Sequence, residues 1–265
     1  MTRIAAVQMI STPVVADNIA VARRLVTQAA RAGAGLVLLP EYWPILGMHE
    51  NDKLAAAEQP GAGPIQEAMA SMARELGIWL IGGTLPLVST APGKVLNALL
   101  AYGPDGHLAG RYDKIHLFGF TRGEESYDES RTIAAGNEVQ TLETPFGRIG
   151  LSVCYDLRFP ELYRAMGACS LIVVPSAFTY TTGQAHWDIL LRARAIENQC
   201  YVLAAAQGGV HPNGRRTWGH SMLVDPWGAV IAVLPEGEGV VSGELDPAKL
   251  EIVRGNLPAL RHRVL

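Results

Sequence analysis

Apolar runs alternate with amphipathic stretches along most of the chain. Predominantly apolar runs of strand length occupy residues 3–9, 36–40, 78–82, 95–102, 148–153, 171–175 and 201–206. Between several of these runs, apolar residues recur at helical spacing, as in residues 19–29, 64–76 and 185–198. Strands that alternate with helices in this way are typical of α/β proteins, so the pattern predicts that fold class.

Turn sequences separate some of the predicted strands. Gly-Pro-Asp-Gly at residues 103–106 predicts a tight turn between the strand at 95–102 and a partner strand at 107–112. Thr-Pro-Phe-Gly at residues 144–147 predicts a second such turn before the next strand. By contrast, residues 118–138 are polar, charged and interrupted by glycine, so we expect them to form a functional loop above the sheet.

The last part of the chain continues the same pattern. Three further strands are predicted near residues 221–224, 229–233 and 240–245. Asp246 followed by Pro247 then predicts the start of a terminal helix. Because no low-complexity linker and no internal repeat divides the sequence, we expect one domain that spans residues 1–265.

Three reactive side chains stand at or just after the ends of predicted strands: Glu41, Lys114 and Cys154. Because strand ends form the ligand crevice of an α/β sheet, we expect these groups to converge. Pro160 is placed to open a helix, so the thiol lies at a strand-to-helix turn whose N–H groups can face an oxyanion. Alone, each residue is explained as well by an ordinary role, a buried cysteine or a surface charge. Together they supply a nucleophile, a base and a cation.

These residues resemble the Glu-Lys-Cys triad of the nitrilase, or carbon–nitrogen hydrolase, superfamily. Glu41 lies in Leu-Pro-Glu, Lys114 in Tyr-Asp-Lys-Ile-His-Leu, and Cys154 in Cys-Tyr-Asp-Leu-Arg-Phe-Pro-Glu. The resemblance covers essentially the whole chain, and three separated motifs in the right order are highly specific. It implies an α-β-β-α sandwich, in which two sheets pack face to face, and cleavage of a carbon–nitrogen bond through a thioester on the cysteine, without a cofactor. Periodicity alone does not distinguish this sandwich from a doubly wound sheet.

Within the superfamily, the chain resembles the Nit branch of amidases. The segments that carry this resemblance are residues 185–187, 191–197, 219–222 and 224–228. Tyr155 and Asp156 stand where true nitrilases usually have Trp-Glu, which disfavours a nitrile substrate. Residues 192–207 favour an amidase of deaminated glutathione; the alternatives are an ω-amidase acting on 2-oxoglutaramate and a hydrolase of N-carbamoyl compounds.

A different class of function is also open: a non-catalytic scaffold or a thiol redox sensor. A sensor commonly needs a resolving cysteine. Cys169 and Cys200 fall in predicted helix-to-strand connections, and neither is placed beside Cys154. The intact Glu-Lys-Cys set argues against an inactive scaffold.

Further site residues follow from the resemblance and from the turn after the nucleophile. The backbone N–H of Tyr155 is expected to stabilise an oxyanion together with Lys114. Glu129 matches the additional glutamate of the superfamily, which lies near the lysine and the substrate. Glu124 and Glu125 are neighbouring candidates for the same role.

Arg158 and two threonines are candidates for substrate contacts. The planar guanidinium of Arg158 either holds a substrate carboxylate or pairs with Asp156 or Glu161. Thr181 and Thr182 are expected in a loop, where their hydroxyls either contact the substrate or, for Thr182, cap the helix that follows.

Charge and cysteine content narrow the class of protein. The net charge of −3, without a run of Lys or Arg, disfavours nucleic acid or an anionic membrane as a partner. No apolar stretch approaches the length of a membrane span, and the first strand leaves no room for a signal peptide. Three cysteines without metal-type spacing predict a cytoplasmic protein with no metal site. We therefore expect a small-molecule amide as the substrate, and the resemblance implies a homodimer or higher homo-oligomer.

Overall fold

The computed structural model of the protein describes residues 1–123 and 125–264. The strands of the first half are β1 (Thr2–Gln8), β2 (Leu36–Leu38), β3 (Trp79–Ile81), β4 (Leu85–Val88), β5 (Val95–Tyr102), β6 (Leu108–Asp113), β7 (Gly119–Arg122), β8 (Glu125–Asp128) and β9 (Ile133–Ala134). Those of the second half are β10 (Thr141–Thr144), β11 (Gly147–Leu151), β12 (Leu171–Ser176), β13 (Tyr201–Ala206), β14 (Ser221–Val224), β15 (Val230–Leu234) and β16 (Gly239–Leu245). The helices are α1 (Val15–Arg31), α2 (Asp52–Ala55), α3 (Pro64–Leu76), α4 (Pro160–Ala165), α5 (Tyr180–Asn198) and α6 (Pro247–Asn256).

The strands form two main sheets and a separate hairpin. The first sheet has the order β16-β1-β2-β3-β5-β4, and β6 and β9 also pair with β5. The second sheet has the order β10-β11-β12-β13-β14-β15, while β7 pairs with β8. In each sheet the central strands are parallel, namely β1, β2 and β3 in the first and β11, β12 and β13 in the second. Parallel strands end at a common edge, so residues that follow them are brought together.

The alternation of side chains along β1 separates the layers. Ala5 and Val7 pack into one apolar cluster with residues of α1 and α3. Ile4 and Ala6 point the opposite way, into a cluster that contains the strands of the second sheet. On the far side of that sheet, α5 contributes Trp187 to the same cluster. Helices thus cover the outer faces of two sheets that face each other, which confirms the predicted α-β-β-α sandwich.

Two predictions about local structure were wrong. Helix α5 begins at Tyr180 and not at residue 185, because the Thr179 side chain accepts a hydrogen bond from the Thr182 N–H, at 3.3 Å, and caps the helix earlier. The segment 118–138, expected to be a loop, contains the β7–β8 hairpin and a 3₁₀-helix over Glu129–Arg131. Among the described residues, no helix is both long and apolar enough to cross a membrane.

Candidate active site

Cys154 stands at a sharp turn between β11 and α4. Its backbone has a φ of 50°, in the left-handed region that residues with a side chain rarely adopt. It begins a 3₁₀-helix, Cys154–Arg158, so the following N–H groups point back toward the turn. Among the described residues, the Tyr155 N–H meets no acceptor, which leaves it available to a bound molecule. The Cys154 side chain is buried but lines a pocket.

Glu41 follows β2, and donors from three other elements orient its carboxylate. Oε1 accepts hydrogen bonds from Lys114 Nζ at 2.8 Å and from Asn97 Nδ2 at 2.9 Å. Oε2 accepts one from the Ala177 N–H at 2.9 Å. Since the side chain is buried, these donors take the place of the water that a free carboxylate would bind.

Lys114 follows β6 and lies between two carboxylates. Its ammonium contacts Glu41 and also donates to both oxygens of Glu129, at 3.0 and 2.8 Å. Burial lowers the pKa of Lys114, but the charges of Glu129 and Glu41 outweigh this effect and raise the pKa above its ordinary value. The lysine is therefore a fixed positive charge at neutral pH.

Glu129 begins the 3₁₀-helix after β8. Besides Lys114, its carboxylate accepts hydrogen bonds from the Phe118 N–H and from the Tyr42 hydroxyl, both at 2.8 Å. Burial raises the pKa of Glu129, but the charge of Lys114 and these hydrogen bonds hold it below its ordinary value. Of the two neighbouring glutamates that the structure describes, Glu129 is the one that contacts Lys114. Glu125 accepts a hydrogen bond from Thr181 instead, and Glu124 lies outside the described residues.

The Cys154 thiol is protonated in this environment. Burial raises its pKa well above the ordinary value, and the negative charge of Glu41 raises it further. The positive charge of Lys114 opposes both effects without cancelling them. The thiol is therefore neutral at rest, and it could act as a nucleophile only if a base took its proton.

A pocket of about 270 Å³ opens above these groups. Its polar lining consists of Glu41, Glu129, Cys154, Arg158, Thr179, Thr182 and Arg215. Its apolar lining consists of Phe118, Tyr155, Ala177 and Phe178. The thiol, two carboxylates and two guanidinium groups therefore share one small space.

Arg158 lines this pocket and does not form the ion pairs considered from sequence. Its Nη1 lies 3.2 Å from His186 Nδ1, and its guanidinium lies over the Phe178 ring at 5.4 Å. Asp156 is fully buried and Glu161 is exposed, and within the described residues Arg158 pairs with neither. Arg158 thus lines the pocket without a carboxylate partner among the described residues.

Thr181 and Thr182 were expected in a loop, but they lie in the first turn of α5. Thr182 lines the pocket, and its Oγ1 lies 2.9 Å from Thr179 Oγ1. The Thr181 hydroxyl donates to Glu125, at 2.9 Å, and is not part of the pocket lining. The helix cap is Thr179, one of the residues that the sequence analysis did not consider.

Asp156 holds the nucleophile turn against the end of β6. One carboxylate oxygen accepts hydrogen bonds from the Val153 N–H at 2.8 Å and the Tyr112 hydroxyl at 2.7 Å. The other contacts the backbone N–H of His116 at 3.1 Å and its ring at 2.7 Å. Since Lys114 stands between Tyr112 and His116, this carboxylate fixes the position of the lysine relative to Cys154.

Besides Thr179, sequence reasoning missed the polar residues Tyr42, Asn97 and Arg215 of the site. Asn97 gave a signal, because it is the one polar residue in the apolar run of β5. Tyr42 and Arg215 gave none, because an aromatic residue after a strand and an arginine in a loop are ordinary. Within the described residues, no group of three or more His, Cys, Asp or Glu side chains is arranged to hold a metal ion.

Comparisons with known proteins find relatives over almost the whole chain. Residues 3–254 match the family model described as carbon-nitrogen hydrolase. The chain is 40% identical to the deaminated glutathione amidase of Yersinia enterocolitica, over 98% of this chain and 92% of that protein. It is 37% identical to the omega-amidase NIT2 of Homo sapiens, over 98% of this chain and 94% of that protein. The crystal structure of Saccharomyces cerevisiae Nit3, a member of branch 10 of the nitrilase superfamily, superposes with a TM-score of 0.88 at 29% identity, over all of this chain and 97% of that one. The chain belongs to the carbon–nitrogen hydrolase family, as its sequence motifs predicted, and is a hydrolase that acts on amides.

Proposed function

We propose that the enzyme hydrolyses deaminated glutathione to 2-oxoglutarate and cysteinylglycine through a thioester on Cys154. The observation that carries this proposal is the buried Lys114 ammonium, held between the carboxylates of Glu41 and Glu129 beside a pocket that contains the thiol. The relatives named deaminated glutathione amidase, at 40–41% identity, support the choice of substrate.

In the first half of the reaction, Glu41 takes the proton of the Cys154 thiol as sulfur attacks the amide carbon. The oxygen of that carbonyl becomes negative, and Lys114 and the Tyr155 N–H stabilise it. Glu41 then returns the proton to the leaving nitrogen. The carbon–nitrogen bond breaks, the amine departs, and the acyl group remains on sulfur as a thioester.

In the second half, Glu41 activates a water molecule that attacks the thioester carbon. The same oxyanion contacts apply, and the carbon–sulfur bond breaks to release the acid and restore the thiol. Glu129 acts through Lys114, because its carboxylate contacts the ammonium and holds it in place. One carboxylate, Glu41, therefore serves as base and acid in both halves.

Arg158 is the residue proposed to hold the 2-oxo-acid carboxylate of the substrate. It lines the pocket with Cys154, and its guanidinium has no carboxylate partner among the described residues. A planar guanidinium binds a carboxylate through two parallel hydrogen bonds. Thr182, which also lines the pocket, is a proposed neighbour of the acyl chain, and Thr181 is a weaker candidate since it contacts Glu125.

A second candidate is an ω-amidase that acts on 2-oxoglutaramate. The relatives named omega-amidase NIT2, at 37–38% identity, favour it. Both substrates present the same 2-oxo acid to Arg158, and they differ only in the leaving amine. Hydrolysis of N-carbamoyl compounds uses the same triad and remains a third candidate.

A substrate panel tests these proposals. Purified enzyme is given deaminated glutathione, 2-oxoglutaramate, a ureido acid and a nitrile, and the release of cysteinylglycine or ammonia is measured. We expect the highest kcat/KM for deaminated glutathione. A kcat/KM at least as high for 2-oxoglutaramate, or a best activity on the ureido acid, would reject the substrate assignment. No turnover of any amide would favour the scaffold or redox-sensor alternatives.

We also propose that the protein is a cytoplasmic homodimer or higher oligomer built from a single domain, residues 1–265. The outward face of α5 carries Ile189 and Ile196, which are 68% and 50% exposed, and Trp227 beside it is 62% exposed. Such a cluster of large apolar side chains is typical of a protein interface. The three free cysteines, all buried, are compatible with a reducing compartment. Sedimentation at micromolar concentration tests the oligomer, and a fully active monomer would refute it.

A further inference from the structure

A second, larger cleft adjoins the catalytic pocket. It has about 990 Å³ of empty volume and is lined by residues 45–50, Lys53, Tyr127 and residues 213–215, together with Tyr42. A third pocket, called the passage from here on, shares Glu129 and Phe118 with the catalytic pocket and Lys53 and Tyr127 with the cleft. The three cavities are therefore neighbours that share lining residues.

Arg215 is the one residue among those described that lines the pocket, the passage and the cleft. Its Nη2 donates to the Ala177 carbonyl at 2.9 Å, and its guanidinium lies over the Tyr127 ring at 5.1 Å. Ala177 also provides the N–H that binds Glu41. A single residue therefore anchors both Arg215 and the catalytic carboxylate, which fixes the guanidinium close to the reaction.

The charge of Arg215 is not compensated within the described part of the chain. No carboxylate lies within ion-pair distance of it, whereas nearby Lys53 pairs with Glu50 at 2.8 Å. In addition, Arg215 Nε is buried and has no hydrogen-bond partner. A buried donor without a partner is costly, and a bound anion would supply the missing acceptor.

We propose that Arg215 binds a carboxylate on the leaving-amine side of the substrate, and that the outer cleft is the leaving-amine subsite. The inference rests on the proposed function, in which Arg158 holds the carboxylate of the acyl side. A cysteinylglycine leaving group spans two residues, at most about 7 Å when extended. Its terminal carboxylate therefore lies beyond the small catalytic pocket, in the direction of the passage and the cleft. 2-Oxoglutaramate has no such carboxylate, so Arg215 is a specificity residue that separates the two substrates.

The first test uses the unaltered enzyme and two substrates. Deaminated glutathione is compared with its C-terminal carboxamide, in which the glycyl carboxylate is neutral while the rest of the molecule is unchanged. We expect kcat/KM to be about 10- to 100-fold lower for the carboxamide, since a charge-assisted contact is lost. Equal values for the two substrates would overturn the subsite and leave the proposed function intact. No hydrolysis of either substrate would overturn the proposed function and this subsite with it.

The second test locates the contact. In Arg215→Gln, the preference for the free carboxylate over the carboxamide is expected to disappear, and the ratio of kcat/KM for deaminated glutathione to that for 2-oxoglutaramate should fall at least about tenfold. Arg216→Gln is the matched control, because Arg216 is exposed and pairs with Glu236 at 2.9 Å; it should keep the wild-type preference. A preserved preference in Arg215→Gln would overturn the assignment. An equal loss of kcat/KM for deaminated glutathione and for 2-oxoglutaramate in folded Arg215→Gln would also overturn the assignment, since this result would place Arg215 on the acyl side.

Discussion

Cys154 is a thiol that stays protonated until a substrate reaches it. Its pKa is raised chiefly by burial and then by Glu41, while the positive charge of Lys114, which opposes this rise, is already shared by two carboxylates. A thiol of this kind gains nucleophilicity by transfer of its proton to Glu41 during attack, not by ionising beforehand. The arrangement also protects the thiol, because the thiolate is the form that oxidants and alkylating agents attack.

Removing the thiol should stop the reaction and leave the fold intact. We expect Cys154→Ala to have less than a tenth of wild-type activity, because no nucleophile remains and only a small volume is lost. Cys154→Ser should be nearly as inactive, since Glu41 is a poor base for an alcohol. Steady-state kinetics and circular dichroism check this, with Cys200→Ala as a control that should affect stability more than rate. Substantial turnover by folded Cys154→Ala would contradict a thioester mechanism.

Glu41→Gln should block both halves of the reaction. The amide keeps the size of the side chain but cannot accept a proton, so neither attack by sulfur nor attack by water is assisted. We expect no measurable turnover and no accumulation of acyl-enzyme by mass spectrometry. Glu143→Gln, at an exposed glutamate paired with Arg148, is the control. A stable thioester in Glu41→Gln would confine the base to the second half.

Lys114→Met should lower kcat far more than it raises KM. The lost charge acts mainly on the developing oxyanion, and one such donor is typically worth about 10²- to 10³-fold in rate. The variant should also unfold more easily, by about 3–5 kcal/mol, because Glu41 and Glu129 are left buried without a cation. Kinetic measurements under conditions where the variant stays folded report the loss of kcat, and a urea titration reports the loss of unfolding free energy. A rise in KM alone would indicate that Lys114 binds the substrate ground state.

At the level of elements, two side chains outside the helices decide where α3 and α5 begin. Thr179 caps α5, while the buried Glu58 reaches the start of α3, where it accepts hydrogen bonds from the N–H groups of Ile65 at 2.6 Å and Gln66 at 3.1 Å. Glycine is required at position 63, since a Cβ there would lie 2.3 Å from the Glu58 carboxyl carbon and the φ is 130°. A carboxylate near a helix N-terminus is also favoured by the helix dipole.

We predict that Glu58→Ala destabilises the protein by about 1–3 kcal/mol, because two buried N–H groups lose their acceptor. Activity at moderate temperature should be unchanged, since Glu58 lies away from the pocket around Cys154. The free energy of unfolding in urea checks the first expectation, and kcat/KM checks the second. Glu67→Ala, at an exposed residue in the first turn of the same helix, should change stability much less. Equal effects of the two substitutions would argue against a specific cap.

Elements with strong periodicity were predicted from sequence almost to the residue, and those shaped by long-range contacts were not. Helix α3 runs over Pro64–Leu76 as predicted, because Pro64 and the left-handed Gly77 mark its ends in the sequence itself. Strand β4 was missed because it is short and contains Pro86, which only an edge strand tolerates. The early start of α5 depends on Thr179, whose capping role the sequence does not reveal.

For the whole molecule, the family resemblance predicted the layers, whereas hydrophobic periodicity did not. Both faces of β1 are buried, so neither face is polar. The pattern of side chains along β1 therefore does not show whether a face packs against helices or against a second sheet. The convergence of Glu41, Lys114 and Cys154 was foreseeable, because each follows a strand. The outer cleft was not, because the loops that line it come from distant parts of the chain.

Buried His211 connects the two halves of the molecule and should make stability depend on pH. Its ring contacts the Ser11 carbonyl and the Thr217 hydroxyl, each at 2.9 Å, and burial lowers its pKa to about 4. The unfolded chain has a pKa near 6.5 and so takes up a proton first as the pH falls. The stabilisation is therefore complete above about pH 6.5 and is lost between that pH and about pH 4.

Within that window, the free energy of unfolding should fall by at most about 1.4 kcal/mol for each unit by which the pH decreases. In His211→Gln, which retains a donor and an acceptor but does not titrate, the slope between pH 6.5 and 4 should be shallower. His107→Gln, at an exposed histidine, should keep the wild-type slope. Urea titrations at a series of pH values check this, and identical slopes in all three proteins would show that His211 titrates normally.

The pairing of β1 with β16 has a consequence for how the enzyme is made. The two strands run antiparallel from the pair Thr2–Leu245 to the pair Gln8–Gly239, so β1 lacks this neighbour until the β16 segment, which is distant in sequence, has been made. Until then, β1 presents an open strand edge that other chains can pair with. Contacts this distant in sequence also slow folding. Completion of the first sheet therefore waits until β16 has been synthesised and has reached β1.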